Sequence, residues 1–361
     1  MAEDMLVYVG TRTVAESEGI YVHRMDGDTG ALEPVTEFTG IDNPTYLTLH
    51  PQDNYLYAIN EVTDFGEGEA GGVTAFALDP ETGALSLINQ QSSEGPGPCY
   101  ISVHQTGRFA LVANYAGGSV CMLPIEEDGS LAPASDFVQH TGSSVNPQRQ
   151  AGPHAHSIQP DPTNRYAFAA DLGLDKLLAY KLDLDTGKLK PNDEPWAELA
   201  PGAGPRHFAF HPNGDYVYVI TELANTIVAF SYDEERGALD EIQTVSALPE
   251  GFEETSYCAD IHILSSGKFL YGSNRGHDSI VIFSIDEETG ELTYVDHEST
   301  QGETPRNFCI DPSGTFLLAA NQDTDNIVSF HIDQDTGRLT PTGHQANVSM
   351  PVCLKVLPPT R

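Results

Sequence analysis

One short phrase recurs seven times along the 361 residues: "YVHRMDGDTGAL", "AFALDPETGAL", "MLPIEEDGSL", "AYKLDLDTGKL", "AFSYDEERGAL", "IFSIDEETGEL" and "SFHIDQDTGRL". Each copy is an apolar strand, an acidic turn, a glycine and the start of a new strand. The glycines, Gly30, Gly83, Gly129, Gly187, Gly237, Gly290 and Gly337, stand 53, 46, 58, 50, 53 and 47 residues apart, close to the ~50-residue period of some propeller repeats. Between copies lies a second phrase, seen in "GPRHFAFHPNGDYVYVITE" and "TPRNFCIDPSGTFLLAANQ": an alternating strand, a His-Pro or Asp-Pro turn with Gly or Asn, and a second strand. Each unit thus supplies four short strands joined by tight turns, with hardly any 3.6-residue apolar periodicity.

The predicted fold is therefore all-β, a seven-bladed β-propeller with four antiparallel strands per blade, occupying residues 1–361 as a single domain. Leu6–Gly10, "LVYVG", reads as the second strand of a blade, and Val352–Leu357, "VCLKVL", as a first strand. Together they predict one composite blade joining the chain ends and leaving the ring without an open edge.

Charge narrows the partners. The chain carries 53 acidic and 17 basic residues, a formal net charge of -36, which repels nucleic acid and anionic membrane from most of the surface. Such an excess, spread along the whole length, predicts a halophilic protein whose self-repulsion is screened by strong salt. No apolar run approaches the roughly 20 residues that span a bilayer, and "MAEDMLVYVG" lacks a basic stretch followed by a long apolar core. A soluble, cytoplasmic protein is expected. Cys99, Cys121, Cys258, Cys309 and Cys353 contain no C-x-x-C pair and read as reduced, buried small hydrophobes.

Propeller geometry sorts the loops. With strands A to D counted outward from the axis, the Pro turns (A to B) and the repeat phrase (C to D) share one face. The D-to-A entry loops and the B-to-C loops share the other. Aligned on the Pro turns, the entry column reads Thr45, Cys99, His156, Arg206, Ala259, Arg306 and Val352. The column ending the B strands reads Gly10, Asn60, Asn114, Asp171, Thr221, Asn274 and Asn321, followed by Thr11, Glu61, Tyr115, Leu172, Glu222, Arg275 and Gln322. Arg206, Arg275 and Arg306 on one rim, in a chain so poor in cations, point to a site for an anion. The recurring asparagines also fit a side chain that satisfies loop backbone groups. Two long connections on the same face, Glu61 to Gly72 and Gln139 to His156, are placed to cover the channel mouth or to be surface insertions.

Other signals fail on physical grounds. Gly66, Gly68 and Gly71 have G-x-G-x-x-G spacing, but no strand-to-helix context surrounds them and Glu67 and Glu69 would repel phosphate. His154 and His156 have H-x-H spacing without an evident third ligand, so no metal centre is expected. The acidic turn "DLDLDTG" lacks the terminal glutamate of a calcium loop. No G-x-S-x-G elbow is present, which removes serine-hydrolase chemistry.

At "GPHAHSIQPDP", "GPRHFAFHPNGDYVYVITE" and "YGSNRGHDSI" the chain resembles the lactonase family of seven-bladed propellers, which includes propeller-type 6-phosphogluconolactonases and 3-carboxy-cis,cis-muconate lactonizing enzymes. The resemblance implies a site without metal or other cofactor at one end of the channel, acting on a small anionic lactone or its open-chain acid, in carbohydrate metabolism for the phosphogluconolactonase branch. It assigns catalytic roles to His156, Arg206, Glu222 and Arg275, with His154 as the other histidine the spacing allows. Arg306, Asn114 and Asn274 join from the columns, and His154 as the alternative histidine, as substrate-binding candidates. In this scheme His156, titrating near neutrality, is the acid or base, Glu222 orients it or a water or is itself the base, and the arginines hold the anion. Three functions stay open: a lactone hydrolase of the 6-phosphogluconolactonase type, a muconate-type cycloisomerase, and a propeller that binds a ligand without catalysis.

Overall fold

The glycine of the repeat phrase is what lets one blade close against the next. Gly290 sits at φ +71°, and a Cβ there would stand 2.4 Å from the ring of Tyr216 in the preceding blade; Gly237 meets Tyr166 and Gly337 meets Phe269 in the same way. Both the left-handed backbone and the close approach require glycine. Two residues along the same B strands, tyrosine hydroxyls complete the joint: Tyr218 donates to the Gly290 carbonyl at 2.9 Å, Tyr271 to Gly337 at 2.9 Å and Tyr57 to Gly129 at 3.0 Å.

A computed structural model describes residues 2–14, 16–66 and 68–359; Glu67 of the glycine-rich loop lies outside them. Among the described residues the strands form seven four-stranded antiparallel sheets, each with its strands in A-B-C-D order. Blades 1 to 6 run over residues 47–92, 98–139, 155–198, 205–246, 257–299 and 305–347. Blade 7 is composite: strand A is Pro351–Leu357, and strands B, C and D are Met5–Thr11, Gly19–Met25 and Leu32–Thr39. Leu6 pairs with Leu357, Val9 with Leu354 and Gly10 with Cys353, so the predicted closure holds. B strands such as Tyr216–Thr221, "YVYVIT", are buried throughout, whereas outer strands such as Leu32–Thr39 are mostly exposed. Neighbouring blades cover an inner strand on both faces, which is why it reads as a continuous apolar run.

The A strands place the site. In blades 2, 3, 4 and 6 the A-to-B register skips one residue, and those residues are Cys99, His156, Arg206 and Arg306. Blade 7 skips Val352, and blade 5 skips both Ala259 and Asp260. In six of the seven blades the entry column therefore falls on a β-bulge, the device by which a strand turns one side chain out of its normal alternation, while in blade 1 Thr45 precedes the strand Leu47–Leu49. Each next residue forms a second layer beneath. Tyr46 and Tyr100 pack at 4.3 Å between ring centroids, with His207 5.1 Å from Tyr100. His207 Nδ1 lies 2.7 Å from Asp260, whose other oxygen accepts from Asn307. This layer floors the arginine end of the channel, and beyond it the turn face opens into a funnel of about 540 Å³. This funnel thus lies across the floor from the arginines.

Candidate active site

Five of the guanidiniums gather above that floor, and they meet two carboxylates. Glu222, just past the end of the blade 4 B strand, is held by three of them. Arg149 Nη2 donates to Oε1 at 2.5 Å, while Arg206 Nε and Arg275 Nη2 donate to Oε2 at 3.2 and 2.8 Å. Burial alone would raise its pKa, but the surrounding arginines outweigh it and bring the carboxyl down to about 2. At neutral pH Glu222 is an anion committed to its arginines, which gives it little basicity. The second carboxylate, Glu61, is bound by Arg12 Nη2 at 3.0 Å and accepts the Thr45 hydroxyl at 2.6 Å.

Arg206 is 2% exposed. Besides Glu222 it donates to the Ala259 carbonyl and lies 3.3 Å from His207 Nε2, so most of its donors are already engaged. Arg306 differs: among the described residues its guanidinium has no carboxylate within ion-pair distance and no hydrogen-bond partner, although it walls a small cavity with Arg206, Thr45, Glu61 and Cys99. Burial, with Arg206 and Arg275 close by, pushes its pKa down to about 9. An arginine keeps its proton in a protein, so this strain amounts to an unmet demand for an anion.

The bulge puts His156 in the same layer, 4% exposed, with Nδ1 3.7 Å from Cys99 Sγ and its ring 5.3 Å from that of His207. Burial, then Arg206, His207 and Arg306, hold its pKa well below the ordinary value. The expectation that it titrates near neutrality is corrected: it is a neutral imidazole at pH 7. His154 lies outside this layer, stacked on Tyr115 at 4.7 Å with Nδ1 2.9 Å from the Tyr115 carbonyl.

Two expected substrate contacts have other work. Asn114 and Asn274 are fully buried; their amides donate to the Ser93 and Ala247 carbonyls at 2.9 and 2.8 Å. Asn321 does the same to Thr300 at 3.0 Å. An asparagine at the end of the B strand ties down the neighbouring entry loop, so the substrate-binding expectation for Asn114 and Asn274 gives way to the backbone-satisfying one.

The long connection from Gln139 does reach the mouth. Its Arg149 bonds Glu222, sits 3.3 Å from the Tyr115 hydroxyl and lies over the Tyr257 ring at 5.7 Å. Arg149 and Arg12 were missed by the column alignment because both stand in loops outside the repeat. Glu61 was in the columns, and its spacing of 16 from Thr45, equal to that of Glu222 from Arg206, was the signal to follow.

Comparison with known proteins joins this geometry to chemistry. Residues 6–356 match the family model described as Lactonase, 7-bladed beta-propeller. The 6-phosphogluconolactonase of Bacillus subtilis is 42% identical over 306 residues, 85% of each chain. That of Formosa agariphila is 39% identical over 312 residues, 85% of this chain and 86% of its own. The periplasmic gluconolactonase of Pseudomonas aeruginosa superposes with a TM-score of 0.93 at 35% identity, covering 99% of this chain and 100% of the other.

Proposed function

Because the chain belongs to the seven-bladed β-propeller lactonase family, we propose that it hydrolyses a small anionic lactone, 6-phosphogluconolactone or a close analogue, at the arginine end of its channel and without a metal. The observation that carries the reading is Arg306, a cavity-wall cation that has no ion-pair partner among the described residues of a protein whose net charge is -36. The substrate's phosphate or carboxylate supplies the missing charge. Arg206 and Arg275, oriented by Glu222, extend the positive field towards the reacting carbonyl. His156 enters as a neutral hydrogen-bond donor to the developing oxyanion, since an imidazole kept from protonating still offers one N–H. The five cysteines, all free and buried, support a reducing, cytoplasmic setting, although the Pseudomonas aeruginosa relative is periplasmic. No helix among the described residues is long and apolar enough to cross a membrane.

A pH-stat assay of 6-phosphogluconolactone hydrolysis, run beside a carboxymuconate ring-closure assay, tests the reading. Arg306→Ala is expected to raise KM by roughly ten- to a hundredfold, since a charge-assisted contact is worth about 1.5–3 kcal/mol. The same variant should melt no lower than wild type, because it removes a partly buried cation that has no ion-pair partner among the described residues. A wild type that neither hydrolyses the lactone nor closes the muconate, or an unchanged KM in the variant, would sink the anion-site reading.

The halophilic proposal has its own test. Exposed carboxylates repel one another in dilute buffer, and molar potassium chloride screens them within about 3 Å. The melting temperature should rise between low and molar salt. A flat or falling curve would reject the proposal.

A further inference from the structure

Thr45 and Glu61 repeat on blade 1 the placement of Arg206 and Glu222 on blade 4, with the same spacing of 16 residues, yet the two glutamates stand in different surroundings. Both oxygens of Glu222 are taken by guanidiniums, and its side chain forms no part of the cavity wall. Glu61 does line the cavity, opposite Arg206 and Arg306. Arg12 Nη2 donates to both oxygens of Glu61, at 3.0 and 3.3 Å, and Thr45 to one of them; these contacts fix the carboxylate's orientation and use three of its roughly four acceptor positions, leaving one for a water. The cavity measures about 10 Å³, close to the room one water molecule needs, and its walls carry the two or more polar partners such a water requires.

We propose that Glu61 is the catalytic base that activates water for attack on the lactone carbonyl, an assignment that rests on the lactonase reading above. In this step the water oxygen bonds to the carbonyl carbon as Glu61 takes one of its protons, and the carbonyl electrons move to the oxygen facing the guanidiniums. The tetrahedral intermediate then breaks its bond to the ring oxygen, which leaves with the proton returned by Glu61. The product is the open-chain hydroxy acid, whose ionisation releases the proton a pH-stat counts. Glu222 is the positioning residue of the pair, keeping three guanidiniums in place, and Glu61 does the proton transfer.

The test compares wild type, Glu61→Gln and Glu61→Asp on 6-phosphogluconolactone, with melting curves for all three. Glu61→Gln should lower kcat by about 100- to 10,000-fold, the usual range for removing a general base, while KM stays within about threefold. Its pH profile should lack the acid limb of wild type, and Glu61→Asp should recover part of kcat. If wild type is active and Glu61→Gln keeps kcat within about threefold, Glu61 is only the ion-pair partner of Arg12 and the proposal is overturned while the lactonase reading stands. Should Glu61→Gln fail to fold, Glu61→Asp decides, since moving the carboxylate back by one methylene must lower kcat if it is the base; an unchanged kcat overturns the proposal. A wild type with no lactone hydrolysis overturns both.

Discussion

Removing residues 351–361 is expected to leave a protein that does not fold cooperatively. Strand A of blade 7 buries Val352 at 2%, Leu354 at 1% and Leu357 at 2% exposure, and each such side chain is worth about 1.5–3 kcal/mol. Their sum is comparable with the whole stability of a typical domain, about 5–15 kcal/mol. Truncation also bares the edge of Met5–Thr11 and, across the channel wall, the flank of strand Pro305–Ile310, whose Asn307 accepts from the Leu354 amide at 2.7 Å. Expression of the truncated chain should yield aggregate, and light scattering on heating should start well below the wild-type transition. A truncated protein that melts like wild type would refute the closure as a source of stability.

The second large effect concerns Glu222. Glu222→Ala leaves Arg206, 2% exposed, with Arg149 and Arg275 and no carboxylate between them. Breaking a buried pair by removing one partner costs about 3–5 kcal/mol, so the melting temperature should fall by several degrees and lactone turnover should collapse as the guanidiniums splay. Inorganic phosphate should restore more stability to this variant than to wild type, because it can take the position of the lost carboxylate. The pH dependence has a definite sign. The carboxyl is depressed from 4.5 to about 2 on folding, so its contribution, about 3 kcal/mol, is complete above the ordinary pKa and disappears as pH falls from about 4.5 towards 2. The variant should therefore lose less stability than wild type across that window in urea melts at stepped pH. Parallel pH curves for the two proteins would contradict the ion-pair account.

The fold was legible because each repeat glycine answers a steric demand made by side chains in the blade before it, an aromatic ring in six cases and Leu6 with Val22 at Gly83, and that demand recurs at nearly constant spacing. Half of the site was legible for a related reason: each bulge lies at a fixed offset from its Pro turn, so aligning the turns aligned Cys99, His156, Arg206 and Arg306 without any knowledge of bulges. The bulge also separates His156 from His154, which spacing alone left open. What stayed hidden depends on contacts between non-repeating segments. Arg149 reaches Glu222 from a loop 73 residues earlier in the chain, and no periodicity announces it. The charge state of His156 follows from its burial and then from three neighbours on other strands, and the work of Asn114 and Asn274 from loop carbonyls that alignment does not see.

A bulge is a local accommodation, and this ring repeats it around the channel. A change of side chain at one bulge leaves the ladders on either side of it paired, so Cys99, His156, Arg206, Ala259, Arg306 and Val352, with Thr45 just ahead of its strand, are letters written on a constant frame. Substrate range in such a molecule can drift by spelling alone. Ala259 and Val352 are the two letters that now contribute no polar atom from their side chains, and a library confined to those two positions is the shortest route to a propeller that accepts a differently charged or differently hydroxylated ring.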